Sequence, residues 1–163
     1  MKVLTVFGTR PEAIKLAPVI KELALHAPDI EIRVCVTGQH REMLNQVLDC
    51  FEIRPDHHLD LMRPSQSPLW LAGSILLKLE AIMSAERPDW VLVQGDTTST
   101  AAGAMAGFYA GARVAHVEAG LRTYDLAQPF PEEGNRRITG SIASLHLAPT
   151  VRARDNLLAE GEV

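Results

Sequence analysis

The chain has 163 residues, 47% of them hydrophobic and 22% charged, an ordinary globular mixture with length for about one domain. These proportions fit neither a disordered tail nor a membrane protein. Sixteen basic against twenty acidic residues leave a net charge of −4, and aromatics are 5% of the chain, so nucleic acid is a poor candidate partner.

In chain order, short apolar or β-branched runs alternate with helical patterns. This is the sequence form of an α/β fold, a Rossmann-like parallel sheet with helices on both faces. The first run, residues 2–7, precedes a helix over 11–27 whose Ala13, Leu16, Ala17, Ile20, Leu23, Ala24 and Ala27 recur at steps of three and four. Pro11 suits its first turn, and Pro18 is expected to kink it. A second run, 30–37, leads to a helix over about 41–51. Residues 54–68, with Pro55, Pro64 and Pro68, read as a long connection holding a short strand near 58–61. A helix over 69–85 precedes the run 90–94, and a helix over 98–110 is built from small residues that suit close packing on a sheet. The run 113–117, a helix over 132–145, a weak strand at 146–148 and a helix over 151–160 complete the pattern. Cys35 and Cys50 read as buried free thiols in a reducing compartment. The apolar run 3–8 is too short for a signal peptide, so cytoplasmic residence is expected.

In open α/β sheets ligands bind beyond the carboxyl ends of the strands, so the turns after each run carry the chemistry. The first turn, Gly8-Thr9-Arg10-Pro11-Glu12, lacks the glycine fingerprint of a dinucleotide site. It opens a helix, however, and with Arg10 and Lys15 nearby it favours an anion; the alternative is an Arg10 paired with a carboxylate and a solvated Lys15. The second turn offers Gln39, His40 and Arg41. Asp96, after the run ending at Gln94, either caps the next helix or presents a carboxylate to the crevice. Glu118 ends a buried run, where glutamate is rarely left without a partner. Glu132 and Glu133 open a helix behind Pro129 and Pro131, where they complement its dipole. If the turns converge, Asp96, Glu118 and Glu132 form a carboxylate cluster beside Arg10 and Lys15, and mutual repulsion is expected to let one carboxylate hold a proton near neutral pH. No metal-ligand spacing occurs, adjacent His57 and His58 point apart in an extended segment, and no nucleophile elbow is present.

The segments Val6-Phe7-Gly8-Thr9-Arg10-Pro11-Glu12-Ala13-Ile14-Lys15, Gln39-His40-Arg41-Glu42-Met43-Leu44, Gly95-Asp96-Thr97-Thr98, His116-Val117-Glu118-Ala119-Gly120-Leu121-Arg122-Thr123 and Pro131-Glu132-Glu133 with Asn135-Arg136 closely resemble the bacterial non-hydrolysing UDP-N-acetylglucosamine 2-epimerases. The likeness runs along the whole chain. It departs at Gln94, where a histidine is usual, and at Ala115, where a glycine is usual. The resemblance implies that residues 1–163 form the N-terminal half of a GT-B-type two-domain fold. It also implies that a C-terminal nucleotide-binding domain, carrying the family's catalytic histidine and most uridine and diphosphate contacts, is absent from the chain. By the same resemblance Arg10, Lys15, Asp96 and Glu118 bind substrate, Asp96, Glu118 and Glu132 are catalytic, and Gln39, His40, Arg41 and Glu42 overlap a site for a second, activating UDP-GlcNAc.

The reaction so implied interconverts UDP-GlcNAc and UDP-ManNAc by elimination and re-addition of UDP with inversion at C2, without metal, other cofactor, nucleic acid or membrane. The intact enzyme is expected to be a homodimer and this chain alone inactive. Two other readings stand beside it: a hydrolysing relative that releases free N-acetylmannosamine, and a non-catalytic lobe that binds a nucleotide sugar. The chain ends after a helix with Gly161 at its expected C-cap, where a further strand is expected to begin.

Overall fold

Alternation within the strands feeds two hydrophobic cores, one on each face of a sheet. The structure, a computed structural model, describes residues 1–38, 41–61, 63 and 65–162, with the backbone alone at 41–43. Among them the chain forms β1 (Lys2–Phe7), α1 (Arg10–Ala24), β2 (Glu31–Val36), α2 (Arg41–Cys50), β3 (His57–His58), α3 (Pro68–Glu86), β4 (Trp90–Gln94), α4 (Thr98–Tyr109), β5 (Arg113–Val117), α5 (Glu132–Ile142), β6 (Leu145–Leu147) and α6 (Val151–Glu160). Every expected element is present, with bounds shifted by three residues at most. All pairings in the six-stranded sheet are parallel, in the order β3-β2-β1-β4-β5-β6.

Successive strand residues point to opposite faces, so Leu4, Val6, Cys35, Val91, Val93 and Val114 enter one core. Val3, Phe7, Val34, Val36, Leu92 and Ala115 enter the other. The first core is closed by α3 and α4, the second by α1 and α2, which contribute Leu16, Ile20, Leu44 and Leu48. Strands buried on both faces need the continuous apolar runs seen in the sequence. The small residues of α4 act as expected: a Cβ at Gly103 would lie 3.1 Å from Val6, and one at Gly107 2.7 Å from Val91. α1 runs through Pro18 as one helix.

One feature departs from the sequence reading. Cys35 is buried, which pushes its thiol up to about 12, but Cys50 is exposed at the end of α2. It lies two positions past the buried Leu48, about 200° around the helix from that stripe. The expected helix α3, with a mean hydropathy of 1.3 over eighteen residues, is long and apolar enough by length and composition to cross a bilayer. Its Leu71, Ile75, Leu79 and Met83 fill the first core at helical spacing, while Leu69 and Leu77 are 85% and 74% exposed. Leu77 and, from α4, the exposed Tyr109 line an uncovered groove between the two helices.

Candidate active site

The strand order places the site. β1 and β4 are neighbours, and the chain proceeds outward from them in opposite directions, so the turns after these strands diverge and open a crevice at their carboxyl ends. Across that crevice Glu12 acts as a staple. Although it stands on α1, it is only 2% exposed. Its Oε2 accepts the amides of Gly8 and Thr9 at 2.9 and 2.7 Å, and its Oε1 accepts the hydroxyls of Thr97 and Thr100 at 2.7 and 3.0 Å. Part of the expected anion seat is thus taken by the chain's own carboxylate. A Cβ at Gly8 would collide with Thr37 and Ser99 side chains, so glycine is needed where β1, β2 and α4 meet.

The helix after β4 is capped by Thr97, whose Oγ1 accepts the Thr100 amide at 3.2 Å. Asp96 is therefore not the cap; its Oδ2 accepts from Arg136 Nε at 2.9 Å and Nη2 at 2.6 Å. Arg136 Nη1 also reaches Glu133 at 3.1 Å, and Asn135 donates to the Asp96 carbonyl at 2.9 Å. Burial works against the Arg136 charge, but Asp96 and Glu133 outweigh it and hold the guanidinium above its usual range. Glu133 is fully buried; burial would raise its carboxyl, yet the amides of Thr123 and Tyr124 and the Arg136 guanidinium hold it below the usual carboxylate range. Consecutive helical residues point 100° apart, so while Glu133 is sealed inside, Glu132 lines a cleft of about 290 Å³ with Thr9, Gln66, Thr97, Thr98 and Asn135. Glu132 makes no hydrogen bond or ion pair among the described residues.

Glu118 follows β5 in a left-handed backbone conformation, φ +63°, which costs about 1–2 kcal/mol in a residue with a side chain. Its partner is Lys15, whose Nζ lies 2.5 Å from Oε2, and the Gln94 amide nitrogen donates to the same oxygen. His116, 1% exposed, donates from Nε2 to the Gly95 carbonyl at 2.7 Å, which ties β5 to the β4 turn. Burial, opposed by that bond, lowers its imidazole to about 4, so it is neutral at pH 7. Beyond Glu118, Arg122, whose side chain is 1% exposed, clasps Glu160 of α6 at 2.7 Å.

The sequence-predicted residues thus fall into two adjacent groups: Lys15 with Glu118, and Asp96 beside the cleft lined by Glu132. Cations pair with two of the carboxylates in place of direct carboxylate repulsion. Arg10 is exposed and makes no side-chain hydrogen bond or ion pair among the described residues. Gln39 and His40 lie outside the described residues, as do the side chains of Arg41 and Glu42. Among the described residues no cluster of three His, Cys, Asp or Glu is placed to hold a metal; His57 instead meets Glu86 at 2.7 Å. Sequence reasoning passed over Glu12, Gln94, His116 and Arg136. The Thr9-x-x-Glu12 capping box was a signal for the first, and the three-residue spacing of Glu133 and Arg136 for the last.

The family model described as UDP-N-acetylglucosamine 2-epimerase matches residues 22–163. The chain belongs to the UDP-N-acetylglucosamine 2-epimerase family. The UDP-N-acetylglucosamine 2-epimerase of Yersinia pestis is 56% identical over 160 residues, 98% of this chain and 42% of that protein. The crystal structure of UDP-GlcNAc 2-epimerase from Neisseria meningitidis bound to UDP-GlcNAc matches with a TM-score of 0.95 at 53% identity, covering 99% of this chain and 43% of that one. The lipopolysaccharide outer core galactosyltransferase WaaB, at 14% identity and a TM-score of 0.68 over 99% of this chain and 43% of its own, shares the fold alone. The epimerase-family chain is thus an α/β lobe consistent with the N-terminal half of a GT-B fold, and it spans about 42% of the length of the curated relatives it matches.

Proposed function

We propose that this lobe supplies one wall of the active site of a UDP-GlcNAc 2-epimerase that keeps UDP on its product. The observation that carries this reading is the arrangement of carboxylates at the switch point: Asp96 and Glu118 are each held by a cation, and Glu132 stands unpartnered in the neighbouring cleft. A sugar C2–H is barely acidic until the C1–O bond loosens and positive charge develops at C1. A carboxylate then takes the C2 proton as UDP departs with the bonding electrons, leaving 2-acetamidoglucal; UDP oxygen re-adds at C1 and C2 is protonated on its other face. Asp96, Glu118 and Glu132 share these duties. Lys15 is engaged by Glu118, so Arg10, free of side-chain partners, is the better cation of the two for the leaving diphosphate.

A cleft of about 290 Å³ lies at the lower limit for small-molecule sites, room for a sugar better than for a whole nucleotide sugar. This supports the need for a second domain. The test is incubation with UDP-GlcNAc in D₂O, followed by NMR at C2. The full-length gene product is expected to form UDP-ManNAc deuterated at C2, and this chain alone little or none. Free N-acetylmannosamine with UDP would identify a hydrolysing enzyme, and no exchange by the full-length product would leave a binding lobe.

We also infer that a second copy of the chain covers the apolar face of α3 and α4. Leu77, Glu80, Arg87 and Tyr109 line a groove there. Glu80 and Arg87 are exposed and make no side-chain ion pair among the described residues. Both line this one groove, Glu80 from α3 and Arg87 from the C-cap of that helix, so a two-fold axis between them would pair each with the other residue of the second copy. The groove lies toward the carboxyl ends of α3 and α4, away from the crevice, so a domain closing over the crevice would leave it uncovered.

A further inference from the structure

Two donors meet on one oxygen of Glu118, and they differ in kind. Lys15 Nζ reaches Oε2 from α1 along a side chain that is 47% exposed, so this ion pair is solvated and compliant. Gln94 reaches the same Oε2 from the last position of β4, and the residue is only 2% exposed. Its amide has one workable orientation here, because turning it over would set its oxygen against the carboxylate. The backbone beneath it is fixed as well: the Gln94 carbonyl, at 2.6 Å, shares the Thr100 hydroxyl proton with Glu12 Oε1, and the next amide, Gly95, donates to the Val117 carbonyl at 3.0 Å. Glu118 leaves its left-handed backbone and reaches back over the β4 turn, where a Cβ on Gly95 would stand 3.9 Å from Oε2. Its Oε1 accepts no hydrogen bond from the described residues.

The geometry points to Gln94 as a positioning residue that clamps Oε2 of Glu118 and leaves Oε1 as the oxygen offered to the sugar. Lys15 supplies charge, and Gln94 supplies direction from the sheet. The amide is neutral at every working pH, so the clamp leaves the local charge unaltered. This assignment rests on the epimerase reading for its kinetic consequence, but not for its geometry.

The experiment therefore has two arms. In the full-length gene product, Gln94→Met removes the donor at nearly constant shape, while Gln94→His restores one. A misplacement of about 1 Å costs roughly 100-fold in a positioned reaction, so Gln94→Met is expected to lower kcat by about 10- to 100-fold with KM within about threefold, and Gln94→His to recover most of that loss. A Gln94→Met enzyme with kcat within about twofold of wild type would overturn the assignment, as would equal losses in both variants. The second arm needs no turnover. A crystal structure of the Gln94→Met chain is expected to show the Glu118 carboxylate displaced by about 1 Å or more from the β4 turn. An unmoved carboxylate overturns the assignment even if the wild-type product is inactive, and that inactivity counts separately against the epimerase reading. Should the Met variant fail to fold, Gln94→Leu, which likewise lacks a donor, takes its place in both arms.

Discussion

Acid should weaken this fold well above the pH at which its carboxylates titrate, and His116 is the reason. The imidazole is 1% exposed and held at about 4, chiefly by burial, with lesser contributions from His146 and Arg122 opposed by the Gly95 bond and Asp96. An unfolded histidine titrates near 6.5, so between these values the unfolded chain carries a proton that the native state refuses. Stability is then complete above about 6.5 and falls as pH drops toward 4. At pH 5 the unfolded imidazole is almost fully protonated and the native one only about a tenth so, which removes about 2 kcal/mol relative to pH 7.5. His146, also lowered by burial, adds in the same direction, whereas Glu86 and Glu133 are held below the carboxylate range and lose their contribution only at lower pH. Urea unfolding of the chain at pH 7.5 and 5.0, compared with His116→Gln, isolates the effect. The stability advantage of wild type over the variant should shrink by about 2 kcal/mol at the lower pH. An unchanged advantage, or a His116 ring resonance titrating near 6.5, would refute the reasoning.

Replacing Glu12 with Ala strands the amides of Gly8 and Thr9 and the hydroxyl of Thr97, and about 3 kcal/mol or more should be lost in chemical denaturation at neutral pH; a loss under 1 kcal/mol would show that water replaces it. In the full-length gene product Asp96→Asn should reduce kcat by roughly 10²- to 10⁴-fold, the usual worth of one acid–base group, and a change confined to KM would remove Asp96 from the chemistry. Leu77→Glu should convert a dimer to a monomer in sedimentation equilibrium, as should Glu80→Arg alone, whereas Glu80→Arg combined with Arg87→Glu should restore association. Monomeric wild type, or an unaltered Leu77→Glu dimer, would show that the α3 face serves something else.

Much of the fold was legible because its signals are local. Continuous apolar runs mark strands buried on both faces, three- and four-residue steps mark helices, and the polar turns stand where those patterns break. The site was legible only in part. Asp96, Glu118 and Glu132 were visible as carboxylates at strand ends or a helix start, but Asp96 also read as a helix cap, the commoner case for such a residue, and it is Thr97 that fills that role. Glu12 was passed over, since the hydroxyls that bury it come from α4 and the residue before it.

What the sequence determined alone was the α/β alternation, the positions of the polar turns and the choice of carboxylates worth following. Tertiary structure decided their partners. Lys15 meets Glu118 across 103 residues, and Arg136 meets Asp96 across 40, because β1 lies beside β4 and β4 beside β5. Local periodicity does not encode strand order. Nor does it set the rotation of α5 that buries Glu133 and leaves Glu132 facing the cleft; packing against the neighbouring turns does.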